Sequence, residues 1–104
     1  MAEEFDKLVR DRIPRIVREN GEEPVTHEVS GAEYRDRLHE KLDEEVAEFH
    51  DEPSAAEMAD VLAVLDALRE SHGIEASEIE RVRREKAEER GEFEDGVVLE
   101  AVRR

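Results

Sequence analysis

Glu44 to Asp60 reads EEVAEFHDEPSAAEMAD, and the spacing of its acids decides how the chain folds. Glu45 and Glu48 stand three apart, as do Glu57 and Asp60, with Pro53 between the two pairs. A step of three residues turns an α-helix by about 300°, so the members of each pair lie about 60° apart on one face. Two antiparallel helices joined by a short turn would then bring four carboxylates together. Such a group repels itself unless a cation sits within it. Oxygen donors alone suit a hard divalent ion, magnesium or manganese, better than zinc. The competing reading is a solvated acidic face, since 31 of 104 residues are Asp or Glu and pairs three apart then arise by chance.

The segment after Pro53 weighs toward the metal. From Ala55 to Leu68 it reads AAEMADVLAVLDAL, apolar on nearly every side, the mark of a buried helix. Glu57 and Asp60 interrupt it on one side, and Asp66 lies off that face. A carboxylate at the edge of a buried surface needs a partner. No Lys or Arg falls between Lys41 and Arg69, so the expected partner is a metal ion or an Arg distant in sequence.

Composition sets the frame. A chain of 104 residues is read as one domain, residues 1–104, with a modest core. It holds no cysteine, which excludes disulfides, thiolate zinc sites and cysteine nucleophiles. No apolar run reaches the length of a membrane span and no secretory leader opens the sequence, so a cytoplasmic protein is expected. The net charge is −15, and Arg outnumbers Lys 13 to 3. Regular apolar periodicity argues against disorder despite that charge, and the balance is that of salt-adapted proteins. An acidic chain is also a poor direct ligand for nucleic acid.

The remaining elements follow from local signals. Asp11 is placed to cap a short helix over Arg12 to Asn20, with Pro14 in its first turn and Gly21 as its stop. Glu22 to Val29 reads as an extended arm or edge strand. Ser30 and Glu33 form a capping box for a long helix from Gly31 to about Asp51, with the apolar stripe Tyr34, Leu38, Leu42, Val46 and Phe49. Ser54 and Glu57 form another box, which competes with a ligand role for Glu57. The apolar helix should end near His72 and Gly73. Ser77 and Glu80 open a last helix that Gly91 closes, and Asp95-Gly96 marks a turn before a short tail. His27, His39, His50 and His72 share no ligand spacing and read as ordinary polar residues.

The acidic pattern Glu44–Glu48 followed by Glu57–Asp60 resembles the E-E-x-x-E … E-x-x-D signature of the MazG-like, all-α nucleoside triphosphate pyrophosphohydrolases. The opening Lys7–Pro14, KLVRDRIP, and the late stretch Arg83–Phe93, RREKAEERGEF, are similar to one branch of short stand-alone proteins in that superfamily. That branch is described as phosphoribosyl-ATP pyrophosphohydrolase-like. The likeness spans nearly the whole chain. It implies an all-α helical bundle completed by oligomerisation as a dimer or tetramer, with short extended N- and C-terminal segments. It also implies magnesium at the acidic quartet and release of pyrophosphate from a nucleotide. The expected metal ligands are Glu45, Glu48, Glu57 and Asp60. The general base is expected among Glu44, Glu45 and Glu48, with Glu44, turned about 100° from Glu45, acting from behind the ligands. Lys7, Arg10, Lys86 and Arg90 are either phosphate clamps or ion-pair partners for the surplus acids. Hydrolysis of phosphoribosyl-ATP in histidine synthesis and a non-catalytic helical binding module are the alternative functions.

Overall fold

The computed structural model describes residues 2–104. Among these residues there are four helices and no strand, so the fold is all-α. The helices are α1 (Ile13–Glu19), α2 (Gly31–Asp51), α3 (Ala55–Ser71) and α4 (Ala76–Arg90). None is long and apolar enough to cross a membrane. Residues 1–72 and 73–104 make two compact units.

In the first unit α2 and α3 pack against each other as an antiparallel pair. Pro53 forces the break between them, because its ring denies the backbone bond that would continue α2. The apolar stripe of α2 lies on the covered side: Leu38 is buried, and Tyr34, Leu42, Val46 and Phe49 are half-buried. From α3 come the buried Leu68 and the half-buried Val61, Val64 and Ala67, the recurrence expected of one helix face.

The opposite face of α3 is bare. Met58, Leu62 and Leu65 are 49%, 60% and 44% exposed. An apolar helix that the sequence marks as buried all round is thus covered by its own chain on one side only.

Several helix starts differ from the local signals. α1 begins one residue late, with Arg12 rather than Asp11 at the cap and no side-chain bond closing it. Arg12 keeps helix-like angles (φ −92°, ψ −2°), and the backbone bond from Ile13 N–H to Arg10 O takes over the turn. Ser30 stands at the α2 cap, yet its hydroxyl makes no capping bond. Gly31, at φ 59°, twists the chain immediately after it and carries the hydroxyl off line. At α4 the cap is Glu75 rather than Ser77, since the Glu75 carbonyl already accepts from Glu78 and Ile79. Residues 22–29 have no regular secondary structure and no partner strand among the described residues, so they are not an edge strand. The stops match their signals: Asn20–Gly21 after α1, His72–Gly73 after α3 and Gly91 after α4.

The second unit consists of α4 and the tail. Val82 and Ala87 are half-buried and the rest of α4 is exposed. A turn over Phe93 to Gly96 closes with Gly96 N–H donating to Phe93 O at 3.2 Å, and Val97 to Arg104 follows as an exposed extended tail.

Candidate metal centre

The α2–α3 pair brings the acidic residues together at its turn end. Oxygens of Glu44, Glu45 and Glu48 lie within 4.8 Å of one another, and so do oxygens of Glu45, Glu57 and Asp60. Glu45 belongs to both triads. It is one helical turn from Glu48 along α2 and faces Glu57 and Asp60 across the interface. Its side chain is only 8% exposed, unusual for a carboxylate without a strong partner.

One partner is Lys41, whose Nζ stands 3.2 Å from Glu45 Oε1 and 3.4 Å from Glu44 Oε2. The other oxygen, Glu45 Oε2, is buried and has no hydrogen-bond donor, and neither does Glu57 Oε2. Orphaned buried carboxylate oxygens are costly. Two of them in one triad, that of Glu45, Glu57 and Asp60, are what an oxygen-coordinated divalent cation would satisfy, so the donor set fits magnesium or manganese.

Glu57 also resolves the competition between cap and ligand. Ser54 Oγ accepts a hydrogen bond from the Glu57 backbone N–H at 3.1 Å, which uses the peptide group and leaves the carboxylate free to face Glu45. Half of the capping box forms, and the two roles are compatible.

The titration behaviour follows from crowding. The Glu48 carboxyl is held above its ordinary value of 4.5, first by its contact with Glu45, then by that residue's charge, partial burial and the charges of Glu57 and Glu44. Two ionised carboxylates have only acceptors between them, whereas a proton on Glu48 turns repulsion into a hydrogen bond. Glu44 moves the opposite way. Hydrogen bonding from Lys7 holds it below 4.5 against the cost of burial, and Lys41 adds to the effect.

The N-terminal segment lies across this cluster. Lys7 Nζ is 2.7 Å from Glu44 Oε1, and an Arg10 guanidinium nitrogen is 2.7 Å from Asp60 Oδ1. Arg37 of α2 fastens the segment at Asp6, donating to its carbonyl at 2.9 Å and to its carboxylate at 3.1 Å. Asp6 adopts φ 41° there, a left-handed conformation that short polar side chains tolerate. Leu8, Val9 and Arg10 line a recess of about 290 Å³ with Tyr34, Glu45 and Asp60, near the lower bound for small-molecule sites.

Glu45 thus ties Glu44 and Glu48 on one side to Glu57 and Asp60 on the other, as two triads and not as one group of four. A distant Arg does reach Asp60, as one of the expected partners. Lys41 was missed as a local cation. Its signal was present in the three- and four-residue steps to Glu44 and Glu45, which place it on the same helix face. Lys86 and Arg90 stand on α4 in the second unit, both exposed. Among the described residues they form no ion pair, while Arg81, Arg83 and Arg84 on the same helix are paired to Glu85 and Glu80.

The histidines held a second surprise. His39 of α2 and His72 at the end of α3 bring their Nε2 atoms within 3.3 Å, although nothing in their spacing along the chain suggests a pair.

Comparison with known proteins adds one relative. An uncharacterized protein of Mycolicibacterium smegmatis is 46% identical over 66 residues, covering 64% of this chain and 61% of that protein. The chain thus spans less than two thirds of the relative's length. No family model and no solved structure matches the sequence.

Proposed function

We propose that the chain is a magnesium-dependent nucleotide pyrophosphohydrolase of the MazG-like kind, cleaving a nucleoside triphosphate to the monophosphate and pyrophosphate. The observation that carries this reading is the pair of triads sharing buried Glu45, with two carboxylate oxygens left without donors. Glu45, Glu48, Glu57 and Asp60 hold the ion. Magnesium, or manganese in its place, supplies charge neutralisation at the phosphates and lowers the pKa of water.

The chain's own groups do the rest. An α2 carboxylate, from among Glu44, Glu45 and Glu48, takes the proton of the water that attacks phosphorus at the α–β linkage. The P–O bond to the β-phosphate breaks and pyrophosphate leaves with the electron pair. Lys7 and Arg10 meet phosphate oxygens. A protein of net charge −15 holds a polyanion only through such cations.

A second copy completes the site's surroundings. The bare face of α3, Met58, Leu62 and Leu65, is the surface a homodimer or tetramer would cover. The alternative substrate is phosphoribosyl-ATP, the same bond in a related molecule. A non-catalytic module would need the apolar face of α3 but not the carboxylates.

The test is a nucleotide panel, with phosphoribosyl-ATP included, assayed for pyrophosphate at molar potassium chloride with and without magnesium. Pyrophosphate release that needs magnesium supports the reading, and the preferred nucleotide separates the two substrates. No release from any nucleotide, with the helices intact, leaves the binding module.

A further inference from the structure

We propose that His39 and His72 form a second cation site, selective for a borderline-soft divalent ion such as nickel or zinc, which staples the end of α3 to α2. This inference is independent of the carboxylate reading. The two imidazoles come from different helices, 33 positions apart, and their Nε2 atoms are 3.3 Å apart. Two imidazole nitrogens bound at about 2.0–2.1 Å to one ion stand about 3.3–3.4 Å apart on tetrahedral zinc and about 2.9 Å apart across the right angle of a nickel site. The nitrogen separation is therefore close to what such an ion requires, and the ring directions are not yet.

Without an ion, the pair holds together only weakly. One ring must donate an N–H and the other accept, and 3.3 Å is long for a nitrogen hydrogen bond. Ring centroids 5.5 Å apart with planes at 61° place the rings nearly head to head. Each needs a tilt for both lone pairs to converge on an ion. Both side chains are exposed, so that tilt meets no packing.

The backbones beneath them are fixed. His39 follows Leu38 and His72 lies four residues after Leu68, the two apolar side chains that this unit buries. The His72 N–H is tied to Leu68 O at 3.0 Å. Asp36 and Asp43 stand one turn before and after His39 on α2, while Arg35 and Arg69 stand one turn before His39 and His72, so the local charge is mixed. Waters fill the remaining positions of a two-ligand site.

Ligand chemistry separates this site from the carboxylates. Imidazole suits nickel, copper and zinc, whereas magnesium takes oxygen donors. In excess magnesium, which occupies the acidic cluster, nickel should still bind the intact chain once and raise its melting temperature, by roughly 3 °C or more at saturation. His39→Ala and His72→Ala should each weaken nickel binding by about 10–100-fold, at least the effect of losing a ligand's supporting partner. His27→Ala, His50→Ala and Glu57→Gln should leave it unchanged. Isothermal titration with nickel chloride reads the affinities, and far-UV circular dichroism verifies that each variant is folded. Nickel binding that ignores His39 and His72, or that falls with Glu57→Gln instead, overturns the proposal.

Discussion

Arg10, on the N-terminal segment, and Asp60, on α3, are fifty positions apart in the chain and 2.7 Å apart in space. With the Lys7–Glu44 pair at the same distance, this contact gives the acidic cluster two cations that bridge both helices. A divalent ion at Asp60 competes for the oxygen that Arg10 now holds. Exposed pairs of this sort are worth about 0–1 kcal/mol each, so the segment is a weak competitor and not a lock.

Removing both cations should therefore free the carboxylates. In the double substitution Lys7→Ala, Arg10→Ala, magnesium should bind about three- to tenfold more tightly in calorimetry without nucleotide. If Lys7 and Arg10 also meet phosphate, the same protein should show a raised KM. Magnesium affinity that is unchanged or weaker in the double variant would separate the strap from the metal site.

The carboxylates themselves should separate activity from folding. Glu48→Ala and Asp60→Ala remove proposed ligands at the margin of the cluster and should reduce turnover at least about a hundredfold while the helical signal stays intact. Glu45→Ala differs, because it also strips Lys41 of its buried partner. Leaving that ammonium beside the α2–α3 interface with only its longer contact to Glu44, at 3.4 Å, should lower the melting temperature as well. Full activity in excess chelator, or in either margin variant, refutes the metal site.

Proton linkage divides the same residues by sign. The Lys7–Glu44 pair lowers the Glu44 carboxyl below 4.5 and raises the Lys7 ammonium above 10.5, mainly through their shared hydrogen bond. Its stability is fully present between those ordinary values. It fades as pH falls through the lowered value of Glu44, or rises through the raised value of Lys7. Glu48 acts oppositely: it binds its proton more tightly when folded, so acidification through its raised value adds stability. Melting curves in chelator should rise slightly as pH drops toward 4.5 and then fall. Glu48→Gln should erase the rise, and Glu44→Gln should blunt the fall. A monotonic loss in wild type and Glu48→Gln alike would refute the crowding of Glu48 against Glu45.

What could be read from the sequence depended on how far apart the residues lay. The helices, their stops and the pairings of Glu45 with Glu48 and of Glu57 with Asp60 follow from steps of three and four residues and from Pro53. These are local signals, and the structure keeps them. Helix starts were less legible, because a hydroxyl caps only if the next backbone angles aim it, as Gly31 fails to do for Ser30. The contacts of Arg10 with Asp60 and of His39 with His72 join elements that only the antiparallel packing of α2 and α3, and the path of the N-terminal segment, bring together. No spacing encodes them.

Assembly should depend on the bare apolar face of α3. The Tyr34–Phe49 stripe is already half-buried or buried within the chain. Met58, Leu62 and Leu65 remain. Leu62→Glu should convert the expected dimer or tetramer to a monomer at micromolar concentration, with lower thermal stability. Light scattering at high salt that finds wild type monomeric would remove the interface.

Salt should stabilise the fold, and the sign follows from charge and geometry together. At net charge −15, self-repulsion opposes the compact state over about 10 Å at 0.1 M salt and only about 3 Å at 1 M. The opposing effect is the screening of attractive pairs. Those are mostly exposed, as with Arg81–Glu85 and Arg15–Glu19, and each contributes little. Lys41 with Glu45 is the shielded exception, with side chains 16% and 8% exposed, and salt reaches it least. The greatest relief should come where like charges are closest, at the two triads. Magnesium at millimolar concentration should therefore replace part of the potassium chloride needed to reach a given melting temperature. That substitution should vanish in a Glu57→Gln, Asp60→Asn variant, whose own low-salt stability should rise. A melting temperature that is flat or falls from 0.1 to 1 M potassium chloride would mean that the ion pairs outweigh the repulsion.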